Sequence, residues 1–284
     1  MSIDKLQKKI RKIKSPLMVD LTMTPDDLPP VALSRSEGYL SAYENVCTEY
    51  MEALKMLVSA VRLDFGCFAI FGAEGLEVLA RLLSSAKEKG YYVLLDGLCS
   101  DKAQVAGSAV NMPCDGLTVG PYIGSDLVKM YAENLAEQEK SLFVTMRTPN
   151  RSASEIQDLM TGSRLVHYAV ADILRRLGEP LIGKCGYSQI AGIAAANASD
   201  SLRNLRGKYN RLFLLVDGYD YTNANAKNCS YAFDQFGHGA VICSGTGITA
   251  AWKEHSQDGS NYTEAAVEAA QRMKNNLLRY ISIL

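Results

Sequence analysis

The stretch YYVLLDGLCSDKAQ, residues 91–104, is apolar over 91–95 and stops abruptly at Asp96. A run that is apolar throughout, without alternation, suits a parallel strand buried on both faces. Runs of the same kind recur at 17–21, within 61–71, and at 117–119, 142–146, 190–195, 212–216 and 240–243, giving eight candidate strands. Segments with helical spacing separate them: 2–14, 36–58, 75–88, 126–137, 154–158, 165–177, 199–206 and 262–280. Ser199 and Thr263 stand near helix starts, where a hydroxyl can accept exposed amide protons. Eight strand–helix units predict an α/β fold, a (β/α)8 barrel, as a single domain over residues 1–284 with its function at the carboxyl ends of the strands. A doubly wound sheet would need a glycine-rich turn after the first strand, and VDLTMTPDD (19–27) supplies none.

The chain of 284 residues is 48% hydrophobic and 21% charged, enough to bury a core without staples. Thirty basic residues against 31 acidic ones leave no basic footprint for a nucleic-acid partner. The one basic run, Lys5, Lys8, Lys9, Arg11, Lys12 and Lys14, reads as a solvated helix face. Seven cysteines without a CxxC pair read as reduced core residues. Cys229, His238 and Cys243 fit no zinc spacing, so no metal is expected. With neither a signal-peptide core nor a membrane-length apolar run, the expectation is a soluble cytoplasmic protein with no membrane partner.

The strand exits carry the chemistry. Because side chains alternate along a strand, Asp20 and Thr22 share a face, as do Arg62 and Asp64, and Asp96 and Leu98. If these faces look into the barrel, Asp20, Asp64 and Asp96 surround Arg62. Such a cluster reads either as an acid/base or cation-binding pocket, or as an ion-pair network that only closes the barrel mouth. The segments DGYDYTNAN (217–225) and GTGI (245–248) fall where barrels often hold a phosphate. Asp217 and Asp220, however, flank Gly218 and would repel one.

In order and spacing, several segments resemble the orotidine 5′-phosphate decarboxylase family, in its longer bacterial subgroup. They are IDKLQKKIRKIKSPLMVDL (3–21), AVRLDFGCFAIFGAEGLEVL (60–79), LTVGPYIGSD (117–126), RTPNRSASEIQDL (147–159), GYSQIAGIAAANASDSLRNLR (186–206), LLVDGYDYTNANAKN (214–228) and AFDQFGHGAVICSGTGITAAW (232–252). The resemblance implies decarboxylation of orotidine 5′-phosphate to uridine 5′-phosphate, in pyrimidine biosynthesis, without metal or organic cofactor. It also implies a dimer and an Asp-x-Lys-x-x-Asp motif whose lysine delivers the proton.

Against that pattern the chain is degenerate. Asp96 and Asp101 match the outer aspartates, but the lysine position is Leu98. Arg62 replaces a second lysine, and Thr22 stands where the family has a ribose-binding aspartate. Pro149 takes the place of the base-binding serine, between Thr148 and Asn150. In the loop carrying Gly218, Thr222 replaces the phosphate-binding glutamine, and Thr246 replaces the phosphate-binding arginine. Lys102 is the only nearby substitute for the missing lysine, and a surface or Asp101-paired role suits it better.

Three functional readings follow. The first is a non-decarboxylating protein that binds a small molecule, such as a nucleotide, or regulates, pairing with itself or with an active paralogue. The second is a divergent decarboxylase using Lys102 or a partner's lysine. The third is another lyase or binder that uses Asp20, Arg62, Asp64 and Asp96 on a less phosphorylated, more cationic ligand.

Overall fold

The computed structural model describes residues 1–97, 111–220, 224–256 and 258–284. Eight parallel strands close a barrel: β1 Leu17–Asp20, β2 Ala60–Asp64, β3 Tyr92–Asp96, β4 Gly116–Val119, β5 Ser141–Thr145, β6 Ile190–Ala195, β7 Leu214–Asp217 and β8 Ala240–Ser244. Each strand pairs with its sequence neighbours, and β8 closes on β1 with Leu17 opposite Ile242. The strands are buried along almost their whole length. This is why their sequences run apolar without alternation: one face packs inside the barrel and the other under the helices.

The longer helices are α1 Ser2–Ile13, α2 Tyr39–Ala53, α3 Gly72–Glu88, α4 Gly124–Glu137, α5 Val166–Gly178, α6 Ser199–Lys208 and α7 Tyr262–Leu278. In α1, Ile3, Leu6, Ile10 and Ile13 are buried, while Lys5, Lys8, Arg11 and Lys12 face solvent. The basic run is thus the outer face of an amphipathic helix. The buried edge of α1 seats under the amino ends of the strands: the Ser2 hydroxyl donates to Asp115 O at 2.7 Å, the Ile3 amide to Gln189 Oε1 at 2.9 Å and the Gly239 amide to Gln7 Oε1 at 3.0 Å. One end of the barrel is therefore plugged, and ligand access is left to the other.

Some local expectations need correction. Neither Ser199 nor Thr263 caps a helix; α6 follows Ala198 and α7 follows Asn261, neither with a side-chain cap, and the Thr263 hydroxyl donates to Glu264 at 2.9 Å. The helix expected at 154–158 is a 3-10 turn, Arg151–Glu155, followed by a small hairpin of Met160–Thr161 and Arg164–Leu165. Cys229 and Cys243 are fully buried free thiols, and the His238 ring sits beside Leu284 O.

Candidate active site

At the carboxyl ends of the strands lies an open cavity of about 670 Å3, a size suited to a small metabolite. Asp20 and Thr22 line it from β1 and its exit, and Arg62 from β2. Thr148, Pro149 and Asn150 follow β5, Asp217, Gly218 and Asp220 come from the end of β7, and Gly245 and Thr246 follow β8.

Arg62 is the centre of the charge arrangement. It is 9% exposed, and strand register sets it directly opposite Asp20. One of its terminal nitrogens lies 2.5 Å from Asp20 and 3.1 Å from Asp217, and the other lies 3.8 Å from Asp96. Burial works against this charge. Cys243 beside it is a neutral thiol raised by its own burial, so the counterweight comes from Asp20 and Asp217, and the guanidinium is held well above its ordinary range. Burial raises the Asp217 carboxyl above its usual value, with Arg62 pulling the other way.

The expected trio around Arg62 was Asp20, Asp64 and Asp96; the third member is Asp217 instead. Asp64 is spent elsewhere. β2 turns at once into a short helix, Phe65–Ala69, and the Asp64 carboxylate caps it by accepting from the Cys67 amide at 2.8 Å. Asp217 was missed as a partner because the apolar run suggests that β7 stops at Val216, whereas it is the last residue of the strand.

The remaining side chains satisfy one another. The hydroxyl and amide of Thr22 both donate to Asp20 Oδ1, at 2.6 and 3.0 Å. Asp96 accepts from the Thr118 hydroxyl and, at 2.8 Å, from the Gly97 amide. Gly218, at φ +80°, turns the chain out of β7. Thr246 begins a short helix, Thr246–Thr249. Leu98, Asp101, Lys102 and Thr222 lie outside the described residues.

A second network fixes the turn after β5. The Thr148 amide donates to Gln157 Oε1 at 2.8 Å, and Asn197 Nδ2 donates to Pro149 O at 2.8 Å. Arg147 grips Asp158 with two nitrogens at 2.9 and 3.0 Å. His167 Nδ1 lies 2.9 Å from Gln157 O and 3.2 Å from Asp158, and its Nε2 lies 3.1 Å from the Ser201 hydroxyl. A proton on Nδ1 satisfies the first two contacts and leaves Nε2 to accept from Ser201. Burial lowers the pKa of His167. These contacts hold Thr148 and Asn150 over the cavity, and the Thr148 hydroxyl donates to Asn150 Oδ1 at 2.5 Å.

Fold and site define a (β/α)8-barrel protein with a small-molecule cavity at its open end, floored by a buried guanidinium among carboxylates. In sequence the chain is similar to proteins named orotidine 5′-phosphate decarboxylase. It is 28% identical over 284 residues to orotidine 5′-phosphate decarboxylase of Clostridium novyi, covering 98% of both chains. To the protein of that name from Rhodopirellula baltica it is 28% identical over 263 residues, covering 87% of each. Its fold matches the crystal structure of a putative orotidine-monophosphate-decarboxylase from Toxoplasma gondii with a TM-score of 0.79, at 19% identity and 98% coverage of both chains. No family model matches the chain.

Proposed function

We propose that this chain is a non-decarboxylating member of the orotidine 5′-phosphate decarboxylase family that binds a small molecule in the barrel mouth. The observation that carries this reading is the position of Arg62, the cation at the base of the cavity, which is engaged by Asp20, Asp217 and Asp96. A guanidinium does not give up its proton in the working pH range, so Arg62 cannot serve as the general acid that a lysine would be. At the position where the resemblance places that lysine, the chain has Leu98. Loss of a positioned general acid costs on the order of 10² to 10⁴ in rate, and loss of preorganised charge stabilisation on the order of 10² to 10³ per donor. Together these losses leave little of the parent reaction.

The reading includes self-association at the open end of the barrel. Large apolar side chains are exposed in the segments that follow three strands: Ile70 after β2, Tyr122 after β4, and Ile156, Leu159 and Met160 after β5. A second copy of the chain would cover them, as the family resemblance implies. Sedimentation would detect it as a dimer.

The names of the relatives favour the rival reading, a divergent decarboxylase relying on Lys102 or on a lysine from a second subunit. Incubation of the pure protein with orotidine 5′-phosphate separates the two. The expected result is no turnover above the buffer rate. Turnover that disappears in Asp96→Asn would overturn the proposal.

A further inference from the structure

Asp220 has no role in the ion cluster around Arg62, yet its carboxylate is held firmly. The backbone pairing of β7 and β8 continues past the strand end, where the Tyr219 amide donates to Cys243 O at 3.2 Å. This sets the next residue, Asp220, over the exit of β8. There Asp220 Oδ2 accepts from the Gly245 amide at 2.6 Å and Oδ1 from the Ser244 hydroxyl at 2.5 Å. The carboxylate also fills the space beside Gly247, where an added Cβ would lie 2.1 Å from Asp220 Oδ1. Backbone donors at the exits of the seventh and eighth strands are where (β/α)8 barrels commonly receive a phosphate.

We propose that Asp220 is a built-in anion that determines specificity: it takes the donors a phosphate would use and restricts the mouth to ligands without a phosphate group. Both steric and electrostatic arguments support this. A phosphate oxygen and a carboxylate oxygen cannot share the Gly245 amide, and Asp217 lies on the same segment, so a dianion arriving here meets two carboxylates. Among the described residues that line the cavity no free positive charge compensates, because residue 246 is threonine and Arg62 is already committed to Asp20, Asp217 and Asp96. The ligand class is therefore an unphosphorylated polar small molecule, neutral or cationic. The inference rests on the reading of the mouth as a non-decarboxylating binding site.

The test measures phosphate-dependent thermal stabilisation and calorimetric binding at low salt, with inorganic phosphate and uridine 5′-phosphate as probes. Three forms of the full chain are compared: native, Asp220→Asn, and Asp220→Gly combined with Thr246→Arg. The native chain should show no shift. Asp220→Asn removes the charge while keeping an acceptor, and should acquire weak phosphate binding. The double variant frees the donors and adds a cation, and should bind both probes at least tenfold more tightly than the native chain. A dissociation constant of about 2 mM corresponds to a midpoint rise of roughly 3 to 5 °C at about 20 mM phosphate. The proposal is overturned if the native chain binds either probe as well as the variants do, or if both folded variants stay indifferent to phosphate. Indifferent variants together with an inactive native chain would sink this inference alone, whereas turnover of orotidine 5′-phosphate by the native chain would sink the functional reading beneath it.

Discussion

Replacement of Arg62 by methionine tests whether the charge cluster holds the barrel mouth together. At an effective dielectric of about 20, contacts at 2.5, 3.1 and 3.8 Å correspond to gross attractions of roughly 7, 5 and 4 kcal/mol. Most of this is cancelled by the cost of desolvating a side chain that is only 9% exposed. The methionine variant does not recover that cost cleanly, because it leaves Asp20, Asp96 and Asp217 facing one another without a cation. Removing one partner from a buried ionic group typically costs about 3 to 5 kcal/mol. At about 2 to 4 °C per kcal/mol for a domain of this size class, the melting temperature should fall by roughly 6 to 20 °C. The deficit should also depend on pH. Without Arg62, Asp217 loses the charge that opposes its raised pKa and binds its proton more readily, so the gap between native and variant should narrow from about pH 8 to about pH 4.5. Urea denaturation and calorimetry across that range measure both effects. A loss below about 1 kcal/mol, or a gap that ignores pH, would refute the claim that Arg62 neutralises the mouth.

Three further outcomes follow from the same geometry. Because burial raises the Asp217 pKa, the folded state holds that proton more tightly than the unfolded chain, and ionised Asp217 costs stability as pH rises through its folded pKa. Asp217→Asn keeps the acceptor for Arg62 and for the Gly218 amide, so it should raise the melting temperature at neutral pH, and the gain should vanish in acid. For His167 the sign is reversed: its folded pKa lies below the ordinary value of 6.5, so its contribution is present above that pH and is lost as pH falls through the folded value. Stability of the native chain should therefore decline below pH 6.5 more steeply than that of His167→Gln, as read from urea midpoints. Finally, Leu98→Lys alone should restore neither turnover nor stabilisation by uridine 5′-phosphate, because Asp220 and Thr246 remain. Calorimetry with the nucleotide would detect the opposite result.

The barrel was legible in the sequence because parallel strands buried on two faces must be apolar throughout, and eight such runs leave few architectures. The run at 190–195 matches β6 at both ends, and most of the others differ from the observed strands by a residue or two. Of the expected site residues, Thr22, Arg62, Thr148, Asn150, Gly218 and Thr246 line the cavity, Asp64 does not, and Asp101, Lys102 and Thr222 lie outside the described residues. Alternation along β2 put Arg62 and Asp64 on one face correctly, yet it could not reveal that Asp64 would be consumed by a helix beginning at the very next residue. Ending β7 one residue early made Asp217 a loop residue and concealed its bond to Arg62. The contact of Asp220 with Ser244 and Gly245 depends on how the exits of two neighbouring strands pair, which no local pattern encodes.

The pairing of β1 with β8 also bears on how the chain is made. Leu17 waits for Ile242, so during synthesis the first strand leaves the ribosome long before the neighbour that covers its second edge. Until then the growing sheet carries two open edges, and a closure between such distant segments is intrinsically slow. In a cell, this interval is when the nascent chain most needs a chaperone, and a substitution that only slows closure would lower yield while leaving the finished protein as stable as before.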